Sequence, residues 1–234
     1  MKITNLISVL ILLAISCVDV DNGVYNGIDV SHHQGKIEWK KVAKDENIEF
    51  VYIKATEGAT YCDNMYKTNI QEARKNNLKC GSYHYFRMSS SVEAQFNNFI
   101  SNVKKDEQDL IPMIDVEINK KDSKGYNLDG YYVSNTKDTK AITDSLAKFL
   151  NKVTEYYGAE PMIYCTLHSY NTLIKDKFSK YRIYLGHYKA KEPGYSGCTI
   201  WQYSENGYVI GIEKKVDLCA FQKNYGIKDI EYKR

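Results

Sequence analysis

The chain has 234 residues, 43% of them hydrophobic and 26% charged, so it can enclose one substantial core and is not a disordered polymer. A formal net charge of +3 is too close to neutral to suggest a nucleic-acid binder. Tyrosine dominates the aromatics, at 21 against 7 Phe and 2 Trp. A ring with a polar hydroxyl suits grooves that meet both apolar and hydroxyl-rich ligands, although a Tyr-, Asn- and Lys-rich composition accounts for most of them.

Lys2 and the uncharged apolar stretch from Leu6 to Val18 read as an export signal over residues 1–18. This 13-residue run falls short of the roughly 20 residues a membrane-crossing helix needs, and no later stretch approaches that length, so no transmembrane span is expected. The run ends Leu13-Ala14-Ile15-Ser16-Cys17, which permits either cleavage near Ser16 and free release or a lipid anchor on Cys17, the latter slightly favoured. Either route exports the chain to the extracellular space or the cell envelope. Five further cysteines follow, Cys62, Cys80, Cys165, Cys198 and Cys219. An odd number leaves at least one thiol free, and the spacing does not separate bridges from buried small hydrophobes. The cysteine and histidine spacing suggests no zinc site, so no metal is expected.

From residue 27 to about 190, strand-like runs alternate with amphipathic segments. The strand candidates are Gly27 to Ser31, Ile48 to Thr56, Lys79 to Phe86, Leu110 to Glu117, Pro161 to Cys165 and Arg182 to Gly186. Val92, Phe96, Phe99 and Val103 share one face of a helix, with Ser90 and Glu93 at capping-box spacing. A second stripe, Ile142, Leu146, Phe149, Leu150 and Val153, runs through a helix near residues 138–157 that ends at Gly158. Between them, Asn119 to Thr136 has no clear period. Beyond residue 190, Cys198 to Ser204, Tyr208 to Ile210 and Lys215 to Leu218 read as short strands without intervening helices. The expectation is an α/β, single-domain, irregular TIM-like β/α barrel, with parallel βα units first and antiparallel strands near the C-terminus.

Acidic residues sit at the ends of these strands: Asp29, Glu57, the pair Asp115 and Glu117, and Asp217. A carboxylate inside Ile-Pro-Met-Ile-Asp-Val-Glu-Ile carries a desolvation cost that chance placement rarely tolerates. Residues 115 and 117 project from the same face, roughly 6 to 7 Å apart along the backbone. Like charges that close push their pKa values apart, which leaves one group to donate a proton and the other to stay ionised, as glycosidic cleavage requires. The alternative for each acid is a salt-bridged strand end, a reading that weighs most for Glu57. Among the aromatics, Tyr83 and Tyr85 share a strand face, Tyr164 ends the Pro161 strand, and Trp201 and Tyr203 share a face near the last acid. Each is a candidate sugar platform or a core residue. His84 points opposite to Tyr85 and reads as a core histidine.

The strings Gly27-Ile-Asp-Val-Ser-His-His-Gln-Gly35, Ile53-Lys-Ala-Thr-Glu-Gly58, Gly81-Ser-Tyr-His-Tyr-Phe86, Pro112-Met-Ile-Asp-Val-Glu117 and Ile200-Trp-Gln-Tyr203, followed by Val216-Asp217, resemble in order the signatures of glycoside hydrolase family 25 lysozymes. The resemblance covers residues 26–222, a catalytic domain with a short tail over 223–234. It implies a flattened β/α barrel that cuts the β-1,4 bond between N-acetylmuramic acid and N-acetylglucosamine in peptidoglycan; no cofactor is expected, and the chain is expected to act as a monomer. It implies Glu117 as general acid/base, Asp115 as the group stabilising the reacting sugar, and Asp29 and Asp217 as the floor of the site. It also implies retention of configuration assisted by the substrate's 2-acetamido group, and it favours Trp201 for the site. Glu57, Tyr83, Tyr85, Tyr164 and Tyr203 complete the candidate substrate-binding set. Cys219 departs from the family, which often has Asn there. Two rivals stand beside this reading: a catalytically silent glycan-binding barrel, and a hydrolase of another N-acetylhexosamine polymer such as chitin.

Overall fold

A computed structural model describes residues 25–121, 125–128, 131–132 and 136–233. The expected export signal and Cys17 lie outside them. In chain order the elements are β1 (Gly27–Val30), α1 (Trp39–Val42), β2 (Phe50–Glu57), β3 (Tyr61–Cys62), α2 (Tyr66–Lys75), β4 (Lys79–Tyr85), α3 (Val92–Asn102) and β5 (Met113–Asp115). Then follow β6 (Asn119–Lys121), β7 (Gly125–Leu128), β8 (Tyr131–Tyr132), α4 (Thr136–Tyr157), β9 (Met162–Thr166), α5 (Leu167–Ser169), β10 (Ile183–Gly186), β11 (Ile200–Gly207), β12 (Val216–Phe221) and α6 (Ile227–Ile230).

Eight strands close on themselves in the order β1-β12-β11-β10-β9-β5-β4-β2, with β2 returning to β1 and β3 appended to β2. Neighbours from β1 through β2, β4, β5, β9 and β10 to β11 run parallel. Only β12 is reversed, pairing antiparallel with both β11 and β1. Antiparallel pairing near the C-terminus is as expected, although β11 itself is parallel to β10 and 208–210, expected as a strand, form none: Val209 and Ile212 turn into the core while Ile210 stays 79% exposed.

Alternation along each strand divides the apolar residues into two cores. Ile28, Val51, Ile53, Ile114, Ile163, Leu185 and Leu218 face outward and cluster with Phe99, Leu146, Phe149, Leu150 and Val153 from the helices. Phe50, Tyr52, Tyr83, Met113, Met162, Tyr164, Tyr184, Ile200 and Cys219 fill the barrel itself. Such large rings fit inside eight strands because some inward positions carry no side chain. A Cβ on Gly81 would lie 2.5 Å from Tyr52 Cε1 and 3.0 Å from Leu110 Cβ. Gly81→Ala is therefore expected to cost about 1–3 kcal/mol by overpacking, read as a lower urea midpoint with an unchanged slope.

Several boundaries differ from expectation for local reasons. The central strand shortens from Leu110–Glu117 to Met113–Asp115, because Pro112 has no N–H for the ladder and Leu110 instead bridges to Glu231. Helix α3 is capped by Ser91, whose hydroxyl accepts from Ala94 N at 3.1 Å, rather than by Ser90. Within Asn119 to Thr136, which has no clear period in sequence, the described residues form a three-stranded antiparallel ribbon, β6-β7-β8. All five described cysteines are free thiols, four of them buried. Among the described residues, no helix is long and apolar enough to cross a membrane.

Candidate active site

The C-terminal ends of the seven parallel strands and the start of β12 meet at one mouth of the barrel. On the central strand Met113 and Asp115 face inward, while Ile114, Val116 and Ile118 join the outer core. That alternation carries Glu117 inward beyond the formal end of β5. The backbone there is fixed from both sides: Phe86 N–H donates to Asp115 O at 2.9 Å, Val116 N–H to Tyr164 O at 2.9 Å, and Ile118 N–H to Ser169 Oγ at 2.8 Å. Glu117 is thus presented from a braced extension of the strand.

Four of the acids singled out in the sequence, Asp29, Asp115, Glu117 and Asp217, line a single cavity of about 200 Å³, together with Tyr83, Met113, Tyr164, Tyr188, Gln202 and Glu205. A larger open depression of about 610 Å³ lies around residues 192–196 and 222–224, but it gathers no set of opposed acids.

The four acids form two couples. Asp29 Oδ2 accepts from Tyr184 Oη at 2.7 Å, Gln202 Nε2 at 2.7 Å and Cys219 Sγ at 3.5 Å. Burial pushes Asp29 upward, and these donors, with a hydrogen bond shared with Asp217, pull against it. Burial, then the Asp29 charge, drives Asp217 up to about 9. Because two carboxylates can hydrogen-bond only through a proton, and three donors converge on Asp29, the proton of this couple resides on Asp217. In the second couple, burial and then the Glu117 charge push Asp115 well above the carboxylate range, with Lys54 acting in the opposite sense. Asp115 Oδ1 is buried and has no hydrogen-bond partner within the protein.

Of the other candidates, Tyr83 and Tyr164 line the cavity. Tyr164 Oη donates to Gln202 Oε1 at 2.7 Å, and Tyr188 Oη does so at 2.5 Å. Tyr85 lies beside the Lys54 ammonium and the Arg87 guanidinium, outside the lining. Glu57 also lies outside it, paired with Lys54 Nζ at 2.5 Å and with Arg87 Nε at 2.7 Å. Burial alone would raise Glu57, but the two cations outweigh it and its pKa is lowered. Trp201 and Tyr203 share a face as expected, with ring centres 5.6 Å apart, but it is the outer face of β11. The indole donates to His187 O at 2.9 Å and packs against the outer core. His84 is a core histidine, held between Thr56 and Gln95 and lowered to about 4 by burial.

Sequence reasoning did not select Gln202, Tyr184, Tyr188 or Glu205. Strand parity carried a signal for the first: with Ile200 facing inward, the next inward residue is Gln202, not Trp201. Tyr188 lies in the loop after β10, where no periodicity reports direction.

A family model for glycosyl hydrolases family 25 matches residues 28–212. The chain belongs to that family. This family 25 glycoside hydrolase is 33% identical over 212 residues to "Lysozyme M1" of Streptomyces globisporus, covering 86% of the chain and 69% of the relative. Its fold superposes on a family 25 glycosyl hydrolase from Bacillus anthracis with a TM-score of 0.71 at 32% identity, covering 86% of this chain and 93% of the other. A bacterial lysozyme from Streptomyces coelicolor gives a TM-score of 0.75 at 29% identity, with 90% and 96% covered.

Proposed function

We propose that the protein is a lysozyme that hydrolyses the β-1,4 bond between N-acetylmuramic acid and N-acetylglucosamine in peptidoglycan. The observation that carries this reading is the convergence of Asp115 and Glu117, from one strand, on a cavity whose opposite wall holds the Asp29–Asp217 couple. Glu117 delivers a proton to the leaving oxygen and then takes one from the incoming water. The unpartnered Asp115 Oδ1 suits the N–H of a substrate 2-acetamido group, whose carbonyl oxygen attacks the anomeric carbon as the glycosidic bond breaks. Positive charge growing on that sugar favours ionised Asp115, against the upward bias set by burial and Glu117. Water then opens the cyclic intermediate from the face the leaving group vacated, and configuration is retained.

Residues 26–222 form the catalytic domain in this proposal, and 223–234 a tail. Export rests on residues 1–18, with the lipid anchor at Cys17 as its finer form, and the enzyme acts as a monomer on glycan strands. The test is digestion of purified peptidoglycan and of chitin, with analysis of the new reducing ends. Muramic acid at those ends, from peptidoglycan and not chitin, is expected. Equal or preferential release from chitin would assign the site to another N-acetylhexosamine polymer, and binding without release would make the barrel a silent glycan receptor.

A further inference from the structure

Strand β3 has only two residues, yet it is anchored from several sides. The turn that leads into it passes through Gly58 at φ +53°, where a Cβ would press on Arg87 at 3.2 Å and Ser90 at 3.3 Å. Asn98 Nδ2, on α3, donates to the carbonyls of Gly58 and Tyr61, both at 3.0 Å. Just beyond β3, Asp63 is 2% exposed and accepts from His32 N at 3.0 Å and Met65 N at 2.9 Å, with His32 Nδ1 at 2.7 Å. Between these anchors Tyr61 is 40% exposed, its hydroxyl 3.2 Å from His32 Nδ1. A large aromatic ring on an immobilised hairpin can receive a flat ligand at little further cost in ordering.

The hairpin is also linked to the acidic cavity. Lys54 Nζ lies 5.7 Å from the Tyr61 ring centre and 5.1 Å from that of Tyr85, and Tyr85 is in register with Asp115 on the adjoining strand. From β5 through β4 and β2 to β3 are three strand steps, or ~14 Å at the usual interstrand spacing. That reach exceeds one sugar ring. Lys54 and Glu57 are 12% and 16% exposed, and Glu57 also holds the Arg87 guanidinium, so the charged groups beside Tyr61 are engaged with one another while its ring face stays open.

We infer that Tyr61 is a stacking platform for the C–H face of an N-acetylhexosamine ring in the same glycan strand, removed from the bond being cut. The inference rests on the glycosidase reading above and assigns that site an outer subsite. The test compares the full chain with Tyr61→Ala, Tyr61→Leu, Tyr61→Phe and Tyr61→Trp on long peptide-free glycan strands and on the shortest oligosaccharide that is cut. Tyr61→Ala and Tyr61→Leu raise KM on long strands about three- to ten-fold, with kcat and the short substrate unchanged. Tyr61→Phe and Tyr61→Trp stay near wild type. Wild-type KM in Tyr61→Leu on long strands, or an equal loss on both lengths, overturns the platform. Strand binding measured in a Glu117→Gln background reports on Tyr61 even where the assignment of the chemistry fails, so the two failures are distinguishable.

Discussion

Glu117→Gln is expected to lower kcat/KM on peptidoglycan by about a thousand-fold or more, within the range that general acid/base groups supply, while the melting temperature holds or rises. Glutamine keeps the shape of the side chain but has no carboxyl proton to give to the leaving oxygen. The fold does not depend on that carboxyl, because the flanking backbone is held through Val116 N and Ile118 N, whose side chains are buried in the outer core. Whenever Glu117 is ionised its charge pushes Asp115 upward, and the substitution removes that repulsion between two acids in a desolvated site. Steady-state kinetics alongside thermal melting separate the two effects. A folded variant retaining activity within ten-fold of wild type would take Glu117 out of the acid/base role.

Stability should decline as pH rises toward about 9, and Asp217→Asn should remove part of that decline. Asp217 rises from an ordinary 3.8 to about 9 because it is buried beside Asp29. Below the unfolded value both folded and unfolded chains carry this proton, and the contribution of the couple is fully present. Between the two values only the folded chain holds it, so unfolding releases a proton and each rise in pH favours the unfolded state. The titration belongs to the Asp29–Asp217 couple rather than to either residue alone. Asparagine is neutral at every pH and can still donate toward Asp29. At pH 8 the variant should exceed wild type by about 1–4 kcal/mol, the range found when buried ionic groups are replaced by uncharged ones, with a smaller gap at pH 5. Urea midpoints of both proteins at the two pH values give the difference directly. A gap that stays constant or narrows from pH 5 to pH 8 contradicts the shared proton.

Much of this architecture is legible in the chain because inward and outward residues alternate strictly along the strands. Asp115 and Glu117 are two apart with Val116 between them, and that spacing alone puts both acids on one side. The same parity, combined with Ile200 as an inward residue, identifies Gln202 and turns Trp201 away. The family resemblance favours the indole for the site, but strand parity puts it against the outer core. Glu57 illustrates a second limit: a strand-end carboxylate reads the same in sequence whether it faces a ligand or a cation, and only folding brings Lys54 and Arg87 against it. Antiparallel closure near the C-terminus was legible, but which strand reverses was not. Short β-runs separated by turns suit both orientations, and the reversal of β12 alone is fixed by pairing on both of its edges.

The reversed β12 also sets how the molecule can be tethered. Gly27 opens β1 opposite Cys219, toward the end of β12, so the chain both enters and leaves the barrel at the pole facing away from the acidic mouth, where Ile230 of α6 closes the floor. Whatever is joined ahead of Tyr25 or spliced on behind Tyr232 would attach at that blind pole and leave the working rim clear of the joint.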